Sequence, residues 1–389
     1  MDDEFSIYAI ALIFTGAAVL ASLALYARQS LLVAYIALGG LLGPWGLGLV
    51  SNVATVRNIG HVGIVFLLFL LGLNLHPQKL LHLLREATLV TLASSAAFLP
   101  VGALCAWGFG FAPGESLLVG TVMMFSSTII SLKLLPTTAL HHRHMGEVII
   151  SVLLLQDMMA IVILLILHGF GGGTGSAGAA ALLLLSLPAL AGFAFLFERG
   201  VLVRLITRFD TIHEYIFLTA IGWCLGLAEA AHALGLSYEI GAFIAGVALA
   251  TSPISFYIAE SLKPLRDFFL ILFFFSLGAG FELPLLPQVA LPAAVLALVL
   301  LLAKPAVFAV LLRWEGEGPE LSTEIGLRLG QASEFSLLIA VLAAESGLIG
   351  QRASYLVQAA TLVTFIVSSY VVMLRYRTPI AVSDRLRSD

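Results

Sequence analysis

Apolar runs of about 18 to 25 residues, separated by short charged clusters, recur along this sequence, and an α-helix of that length crosses roughly 30 Å of hydrocarbon. Apolar residues make up 60% of the 389 residues, charged residues make up 11%, and the mean hydropathy is +1.06. Such a chain cannot enclose its apolar side chains in one water-soluble core. Strands of a membrane barrel would alternate apolar and polar residues instead. The sequence therefore predicts an all-α membrane protein.

The apolar runs predict about thirteen transmembrane helices. The predicted spans are 8–26, 31–50, 59–75, 86–110, 115–135, 147–169, 178–197, 213–231, 236–251, 266–281, 287–312, 322–346 and 353–375. The connections between them are short, except for the Gly-rich stretch 169–178 and the segment around 252–265. Residues 1–375 are thus expected to form one transmembrane domain, followed by a short cytoplasmic tail at 376–389.

The distribution of basic residues predicts the orientation. Of the nineteen Lys and Arg residues, all but Arg57, Arg352 and Lys304 fall in the tail or in alternate connections. The positive-inside rule then places the N-terminus outside and the C-terminus in the cytoplasm, as in a bacterial inner-membrane protein in contact with lipid. The start MDDEF lacks the positive region of a signal peptide, so the first helix is expected to stay in place.

The two cysteines and the net charge carry little information about function and indicate no particular partner. Cys105 and Cys224 lie within apolar runs, where packing explains them better than a disulfide or a metal site does. The net charge of −4 gives no reason to expect a nucleic-acid partner. No cofactor is expected from any motif in the chain.

An internal repeat points to a transporter. The third span ends in FLLFLLGLNLHP (66–77) and the tenth in LFFFSLGAGFELP (272–284), and the second and ninth spans match more loosely. The copies, roughly 31–169 and 236–375, are seven spans apart. Because seven is odd, they would have opposite orientations in the membrane, as in many secondary transporters.

Asp157 is an acid in the middle of the sixth predicted span. A carboxylate at that depth costs roughly 3 kcal/mol on insertion scales, so its presence requires a reason. One reading is a structural carboxylic acid that stays neutral or hydrogen-bonded. The other, which we favour, is an exchange site, because a desolvated acid can be neutral when protonated and can bind a monovalent cation when ionised.

Lys304 and two polar patches interrupt other spans. Lys304 precedes Pro305 in the eleventh span and is a candidate counter-charge, helix pin or titrating group. The patches are FSSTIIS (125–131), with Ser127 and Thr128, and GQASEFS (330–336), with Gln331, Ser333 and Glu334. Their oxygens suit a partly dehydrated alkali cation, although ordinary helix packing explains the hydroxyls equally well. Weaker candidates are the HHRH loop at 141–144, expected to be solvated, and Glu239.

The sequence resembles the Kef-type potassium/proton antiporters of the cation:proton antiporter type-two group. The resemblance covers nearly the whole chain and rests on the order of LGGLLGPWGLGLV (38–50), GIVFLLFLLGLNLHP (63–77), SSTIISLKLL (126–135), VLLLQDMMAI (152–161), GLSYEIGAFIAGVALA (235–250), LKPLRDFFLILFFFSLG (262–278) and GLRLGQASEFSLLI (326–339). It implies a homodimer with a scaffold domain and an elevator-like core, in which the fifth and twelfth spans cross as broken helices.

The same resemblance implies roles for single residues. It makes Asp157 the carboxylate shared by cation and proton, with Gln156 as its neighbour, and Lys304 the lysine of the core. It also makes Ser127 and Thr128 ligands at the first crossover, and places Gln331 and Glu334 in the second. Electrogenic sodium/proton relatives carry two adjacent acids where this chain has Gln156 and Asp157, so electroneutral K⁺/H⁺ exchange is expected.

Other functions are compatible with parts of the sequence, and the sequence differs from the Kef-type pattern in two ways. Na⁺/H⁺ exchange, a cation channel and a sodium-coupled carrier of an organic anion are the other functions considered. The C-terminal nucleotide-binding domain of Kef proteins is absent from this sequence, so gating by glutathione or nucleotide cannot be transferred, and a separate regulatory domain or subunit is an open alternative. His61 and Asn74 stand where relatives often carry acids.

Overall fold

Helices form the regular structure of this protein in a computed structural model that describes residues 2–27, 29–50, 52–74, 77–135, 144–171, 177–209, 212–252 and 254–378. Helices are the expected solution for apolar segments, because each satisfies its own backbone hydrogen bonds. They are α1 Asp2–Tyr26, α2 Leu31–Leu42, α3 Val53–Asn74, α4 Pro77–Gly108, α5 Pro113–Val122, α6 Thr128–Lys133, α7 His144–Gly171, α8 Ala177–Phe197, α9 Val203–Arg208, α10 His213–Ala233, α11 Tyr238–Leu249, α12 Ser255–Ala279, α13 Leu286–Trp314, α14 Pro319–Arg328, α15 Glu334–Glu345 and α16 Gln351–Arg375.

Seven helices in the described ranges are long and apolar enough to cross a membrane. They comprise the segments Ile7–Tyr26, Val53–Leu73, Thr88–Gly108, His144–Leu164, His213–Ala233, Leu286–Trp314 and Gln351–Arg375. Two shorter apolar helices, α2 and α11, accompany them. The all-helical membrane class is therefore confirmed, whereas the full count of thirteen spans stays a prediction.

Three sequence expectations were wrong in detail. The span predicted to reach residue 50 ends as a helix at Leu42. The segment around 252–265, predicted as a connection, is helical from Ser255, and its charged residues Glu260 and Lys263 lie one turn apart on the exposed side of that helix. Arg328, counted with the cations of the connections, is buried at the last turn of α14. Residues 141–143 of the HHRH loop, 172–176 of the Gly-rich stretch and 379–389 of the tail lie outside the described residues.

The described helices divide into two units. The first comprises residues 1–17, 35–82 and 165–280. Within it, α3 packs against α11 and α12, and glycines allow backbone contact between α3 and α11. A Cβ at Gly246 would lie 2.1 Å from Phe69 O, and one at Gly72 would lie 2.5 Å from Phe243 O. Close approach through small residues is a common way for membrane helices to pack.

The second unit comprises residues 18–34, 83–164 and 281–389. Here α5 lies against α4 at Gly120, where a Cβ would be 2.2 Å from Leu99 O. In the same way α14 lies against α13 at Gly326, where a Cβ would be 2.6 Å from Pro305 O. These two glycines bring α5 and α14 close to their neighbouring long helices.

The fifth and twelfth predicted spans are each interrupted within the second unit. Residues 123–127 separate α5 from α6, and residues 329–333 separate α14 from α15. A serine caps each new helix: Ser127 Oγ accepts from Ile130 N at 3.1 Å, and Ser333 Oγ accepts from Phe335 N at 3.1 Å. Serine capping explains how both breaks form without a proline. We call 123–127 the first break and 329–333 the second break.

Candidate ion-binding site at the two helix breaks

The two breaks hold each other through serine hydroxyls. Ser126 Oγ donates to Leu329 O at 2.8 Å, and Ser336 Oγ donates to Val122 O at 2.5 Å. Ser131 Oγ donates to the carbonyl of Arg328 at 3.1 Å. Carbonyls at the ends of α5 and α14 lack helical partners, and these hydroxyls satisfy them. The breaks are therefore one hydrogen-bonded assembly.

Lys304 connects the same two breaks from α13. Its side chain is fully buried, and Nζ donates to Phe125 O at 2.6 Å and to Gln331 O at 2.9 Å. Its Nζ also lies 5.4 Å from the centre of the Phe98 ring. A cation beside carbonyls at helix ends is electrostatically favourable. Of the three roles considered from the sequence, these contacts fit the helix pin.

Gln156 holds the first break in place. Its Oε1 accepts from Ser126 N at 2.9 Å, and its Nε2 donates to Met124 O at 3.3 Å. The side chain is fully buried. Both ends of the amide are therefore engaged with backbone, which makes Gln156 a positioning residue in this geometry.

Asp157 lies beside the start of α6. Its Oδ2 accepts from Thr128 Oγ1 at 3.0 Å, and the residue is 3% exposed. The next residue of α6, Ile129, donates its backbone N–H to Glu334 Oε1 at 3.3 Å. The first turn of α6 thus contacts one carboxylate from α7 and another from α15. The positive end of the helix dipole stabilises negative charge there.

Glu334 has spare ligand capacity. It is 5% exposed, and its Oε2 is buried without a hydrogen-bond partner among the residues the structure describes. An unpaired buried carboxylate oxygen is costly, so it marks a place where a proton, water or cation would be stabilised. Together with Asp157 and Thr128 it supplies oxygen donors of the kind an alkali cation uses.

Gln331 and Ser333 are occupied with the protein itself. Gln331 Nε2 donates to Ser131 Oγ at 2.7 Å, and its Oε1 accepts from Ser368 Oγ at 3.0 Å. Ser333 caps α15 and donates its own N–H to Ser336 Oγ at 3.3 Å. The structure therefore brings all eight predicted site residues to the breaks, but it commits Gln156, Gln331, Lys304, Ser127 and Ser333 to holding them.

Sequence reasoning missed a set of buried hydroxyls that complete this network. Ser126 and Ser131 were seen only as part of a patch, and Thr364 and Ser368 of α16 were not considered. Thr364 Oγ1 accepts from Ala332 N at 3.0 Å. The signal was available in the helical spacing of polar residues at 354, 358, 361, 364 and 368. Glu239, the secondary candidate, is 9% exposed in the other unit.

A buried carboxylate at two interrupted helices within an all-helical membrane protein defines the class of secondary ion transporters. The chain belongs to the sodium/hydrogen exchanger family, a family of transmembrane cation:proton antiporters, whose sequence model matches residues 10–374. The resemblance to cation:proton antiporters that the motifs indicated is thereby confirmed.

Individual relatives carry different names. The chain is 26% identical over 344 residues to the iron transporter MagA of Paramagnetospirillum magneticum, covering 88% of this chain and 79% of that protein. It is 28% identical over 327 residues to K(+) efflux antiporter 4 of Arabidopsis thaliana, covering 80% of this chain and 54% of the relative. It therefore spans only about half the length of the latter.

A solved structure shares the fold. The sodium proton antiporter MjNhaP1 from Methanocaldococcus jannaschii, solved at pH 8, matches with a TM-score of 0.70 and 16% identity. The match covers 96% of this chain and 98% of that one. At this identity the likeness establishes the fold of the chain.

Proposed function

We propose that this protein exchanges one monovalent cation, K⁺ in preference to Na⁺, for one proton without net movement of charge. Asp157 would bind the cation when ionised and the proton when neutral. The observation that carries the proposal is the hydrogen bond from Thr128 Oγ1 to Asp157 Oδ2, at 3.0 Å, beside the two breaks. This buried carboxylate and that of Glu334 both contact the first turn of α6, and Glu334 Oε2 has no hydrogen-bond partner among the described residues.

One-for-one stoichiometry results if Asp157 is the sole carrier. Gln156, its neighbour, is neutral and has both amide ends engaged. Glu334 and Lys304 are of opposite charge, so their charges offset if both stay ionised through the cycle. The proton and the cation then replace each other at Asp157, and each form of the site has the same net charge.

The geometry of the second unit supports the inverted repeats proposed for 31–169 and 236–375. Ser127 and Ser333 cap equivalent helices, and Gly120 and Gly326 make equivalent backbone approaches. Such repeats accompany alternating access in many secondary transporters. We propose that the second unit is the moving core of an elevator, and that the first is a scaffold that forms a homodimer.

The choice of cation rests on relatives. The name of K(+) efflux antiporter 4 refers to K⁺ and supports that choice. The descriptions of MjNhaP1 and MagA refer instead to sodium and to iron. We propose thirteen spans in a bacterial inner membrane, with the N-terminus outside and the C-terminus in the cytoplasm. This topology uses the bias of Lys and Arg toward alternate connections.

Proteoliposomes containing the purified protein test the proposal. A pH gradient monitored by a quenched dye should collapse on addition of K⁺, more weakly with Na⁺ or Li⁺, and Fe²⁺ serves as a further arm. The rate should not change when gradients of a permeant anion such as thiocyanate impose different membrane potentials at constant K⁺, whereas a channel would respond. Asp157→Asn should abolish exchange, and a normal rate in that variant would refute the assignment of Asp157.

A further inference from the structure

Arg328 is a buried arginine to which the proposed exchange mechanism assigns no role. It ends α14, and its side chain is fully buried. Its Nε and Nη2 donate to Glu324 Oε1 at 3.0 and 2.7 Å. Nη1 donates to Leu134 O at 2.8 Å, and Nη2 donates to Arg377 O at 3.0 Å. Four of the five N–H groups of the guanidinium therefore have a partner.

These partners belong to three separate segments of the second unit. Glu324 is one turn back on α14, Leu134 directly follows α6, and Arg377 follows α16. The backbone carbonyl of Arg328 also accepts from Ser131 Oγ of α6 at 3.1 Å. Arg328 thus contacts α6 with both its side chain and its main chain. A cation at the last carbonyls of a helix is stabilising, so the side chain caps the C-terminal end of α6.

The opposite end of α6 is the end that contacts both carboxylates. Thr128 donates to Asp157, and Ile129 donates to Glu334. The helix has only six residues, and so short a helix is not stable by itself. Its position therefore depends on its contacts with the rest of the second unit, which include the bond from Arg328 at Leu134 and those of Ser131. An anchor at Leu134 fixes where the donors of Thr128 and Ile129 lie.

We infer that Arg328 is a positioning residue for the ion site, acting through α6 and joining that helix to residues 376–378 after α16. Where it concerns transport, the inference rests on the proposed exchange. Its chemistry is specific to arginine, because one planar fork reaches a carboxylate and two carbonyls at once. A lysine offers three donors from a single nitrogen and cannot reproduce that geometry.

The hydrogen bond to the C-terminal segment uses the backbone of that segment. Arg377 supplies its carbonyl oxygen, while its own side chain is exposed. The ring of Tyr376 lies 5.6 Å from Arg328 Cζ, which adds a cation–π contact. Arg377→Ala should therefore leave the anchor unchanged, whereas removal of the chain after Arg375 should remove one of its partners and loosen α6.

A purely structural ion pair would behave differently from a positioning residue. Loss of a structural pair lowers the amount and thermal stability of folded protein, but each folded molecule binds its cation normally. Loss of the α6 anchor should weaken cation binding in the molecules that do fold. Removal of a partner that orients a metal ligand commonly costs about 10–100-fold in affinity, and a rise of about tenfold in the apparent KM for the cation is expected here.

The test compares Arg328→Gln, Arg328→Lys and the control Arg313→Gln, normalised to folded protein. Arg313 is exposed and bonds Thr323 on the same helix as Arg328. We expect the KM to rise about tenfold in Arg328→Gln, less in Arg328→Lys and not in the control. An unchanged KM in both Arg328 variants, with wild-type exchange intact, would overturn the inference.

Hydrogen–deuterium exchange separates this inference from the proposed function. Peptides covering residues 122–135 should exchange faster in Arg328→Gln and at the wild-type rate in Arg313→Gln and Arg377→Ala. This measurement applies whether or not the wild type transports K⁺. Equal protection of 122–135 in all variants would refute the anchor itself, whereas an inactive wild type would refute only the proposed exchange.

Discussion

Gln156 and Thr364 accept equivalent hydrogen bonds at the two helix breaks. Gln156 Oε1 accepts from Ser126 N at 2.9 Å, and Thr364 Oγ1 accepts from Ala332 N at 3.0 Å. Each N–H precedes the serine that caps the next helix. The next residue along the chain distinguishes the two positions, since Asp157 comes after Gln156 and the fully buried Phe365 comes after Thr364. The two breaks are therefore held alike, but the residue after the hydrogen-bond acceptor is an acid only at the first break.

This pairing predicts that Gln156→Glu leaves exchange electroneutral. A glutamate can repeat both contacts of the amide only when protonated, because an ionised carboxylate would face Met124 O without a hydrogen. Burial also favours the neutral acid. The exchange rate in proteoliposomes should stay independent of an imposed membrane potential. A potential-dependent rate would mean that the new acid carries a second proton.

Gln156→Leu is the matched variant for that experiment, because it removes both contacts and adds no titratable group. It should lower thermal stability, since Ser126 N and Met124 O would be buried without partners. If Gln156→Leu were as stable as wild type, the amide would not be holding the first break.

Thr128→Val is predicted to weaken cation binding, and Thr128→Ser is predicted to preserve it. Valine removes the hydroxyl that donates to Asp157 Oδ2, whereas serine keeps it. Hydrogen bonds to charged groups contribute about 1.5–3 kcal/mol, so the apparent KM for the cation should rise about tenfold or more. The pH of half-maximal exchange should also move upward, because the ionised carboxylate loses a donor. Equal KM values for both variants would contradict this role of Thr128.

The sequence allowed the long helices and the costly residues to be predicted, because both signals are local. Apolar length identifies a span, and the burial cost of an ionised side chain singles out Asp157 and Lys304. The breaks were expected only through the family resemblance, since Ser127 and Ser333 are ordinary residues in a membrane helix until they cap a new one. The partners of Lys304, Phe125 O and Gln331 O, are distant in sequence, so its role required tertiary structure.

The sequence-based predictions of helix ends and of buried cations were wrong at some charged residues near the ends of spans. Arg328 matched the expectation for a cation in a connection, although it is buried and four of its five guanidinium N–H groups have a partner. The Glu260–Lys263 pair interrupted an apolar run and concealed the first turns of α12. In both places hydropathy alone misjudged where a helix begins or ends, because it does not show which charged residues find partners or stay exposed in the fold.

Lys304→Met is predicted to destabilise the protein strongly. It leaves Phe125 O and Gln331 O buried without their donor, at a cost of about 1–3 kcal/mol for each carbonyl. The melting temperature of the purified protein should fall by several degrees or more. Lys263→Met is the control, because Lys263 is 45% exposed and its ion pair with Glu260 contributes little. Equal melting temperatures in the two variants would contradict the pinning role.

Glu334→Gln is predicted to retain ion exchange, whereas Asp157→Asn is predicted to abolish it. The amide oxygen of a glutamine can still accept from Ile129 N, so the first turn of α6 keeps that contact. Exchange should continue in Glu334→Gln with a higher KM for the cation, because one carboxylate oxygen of the site is lost. Asp157→Asn should show no exchange, because an amide cannot release a proton and bind a cation in its place.

The same pair of variants tests the stoichiometry. If Glu334 keeps a constant charge through the cycle, its removal changes both forms of the site equally, and the proton and cation still replace each other at Asp157. Exchange by Glu334→Gln should then stay insensitive to membrane potential, measured at constant K⁺ with gradients of a permeant anion such as thiocyanate. If Glu334→Gln showed no exchange, or if its rate became potential-dependent, Glu334 would have to carry a proton as well. One-for-one exchange at a single carboxylate would then be wrong.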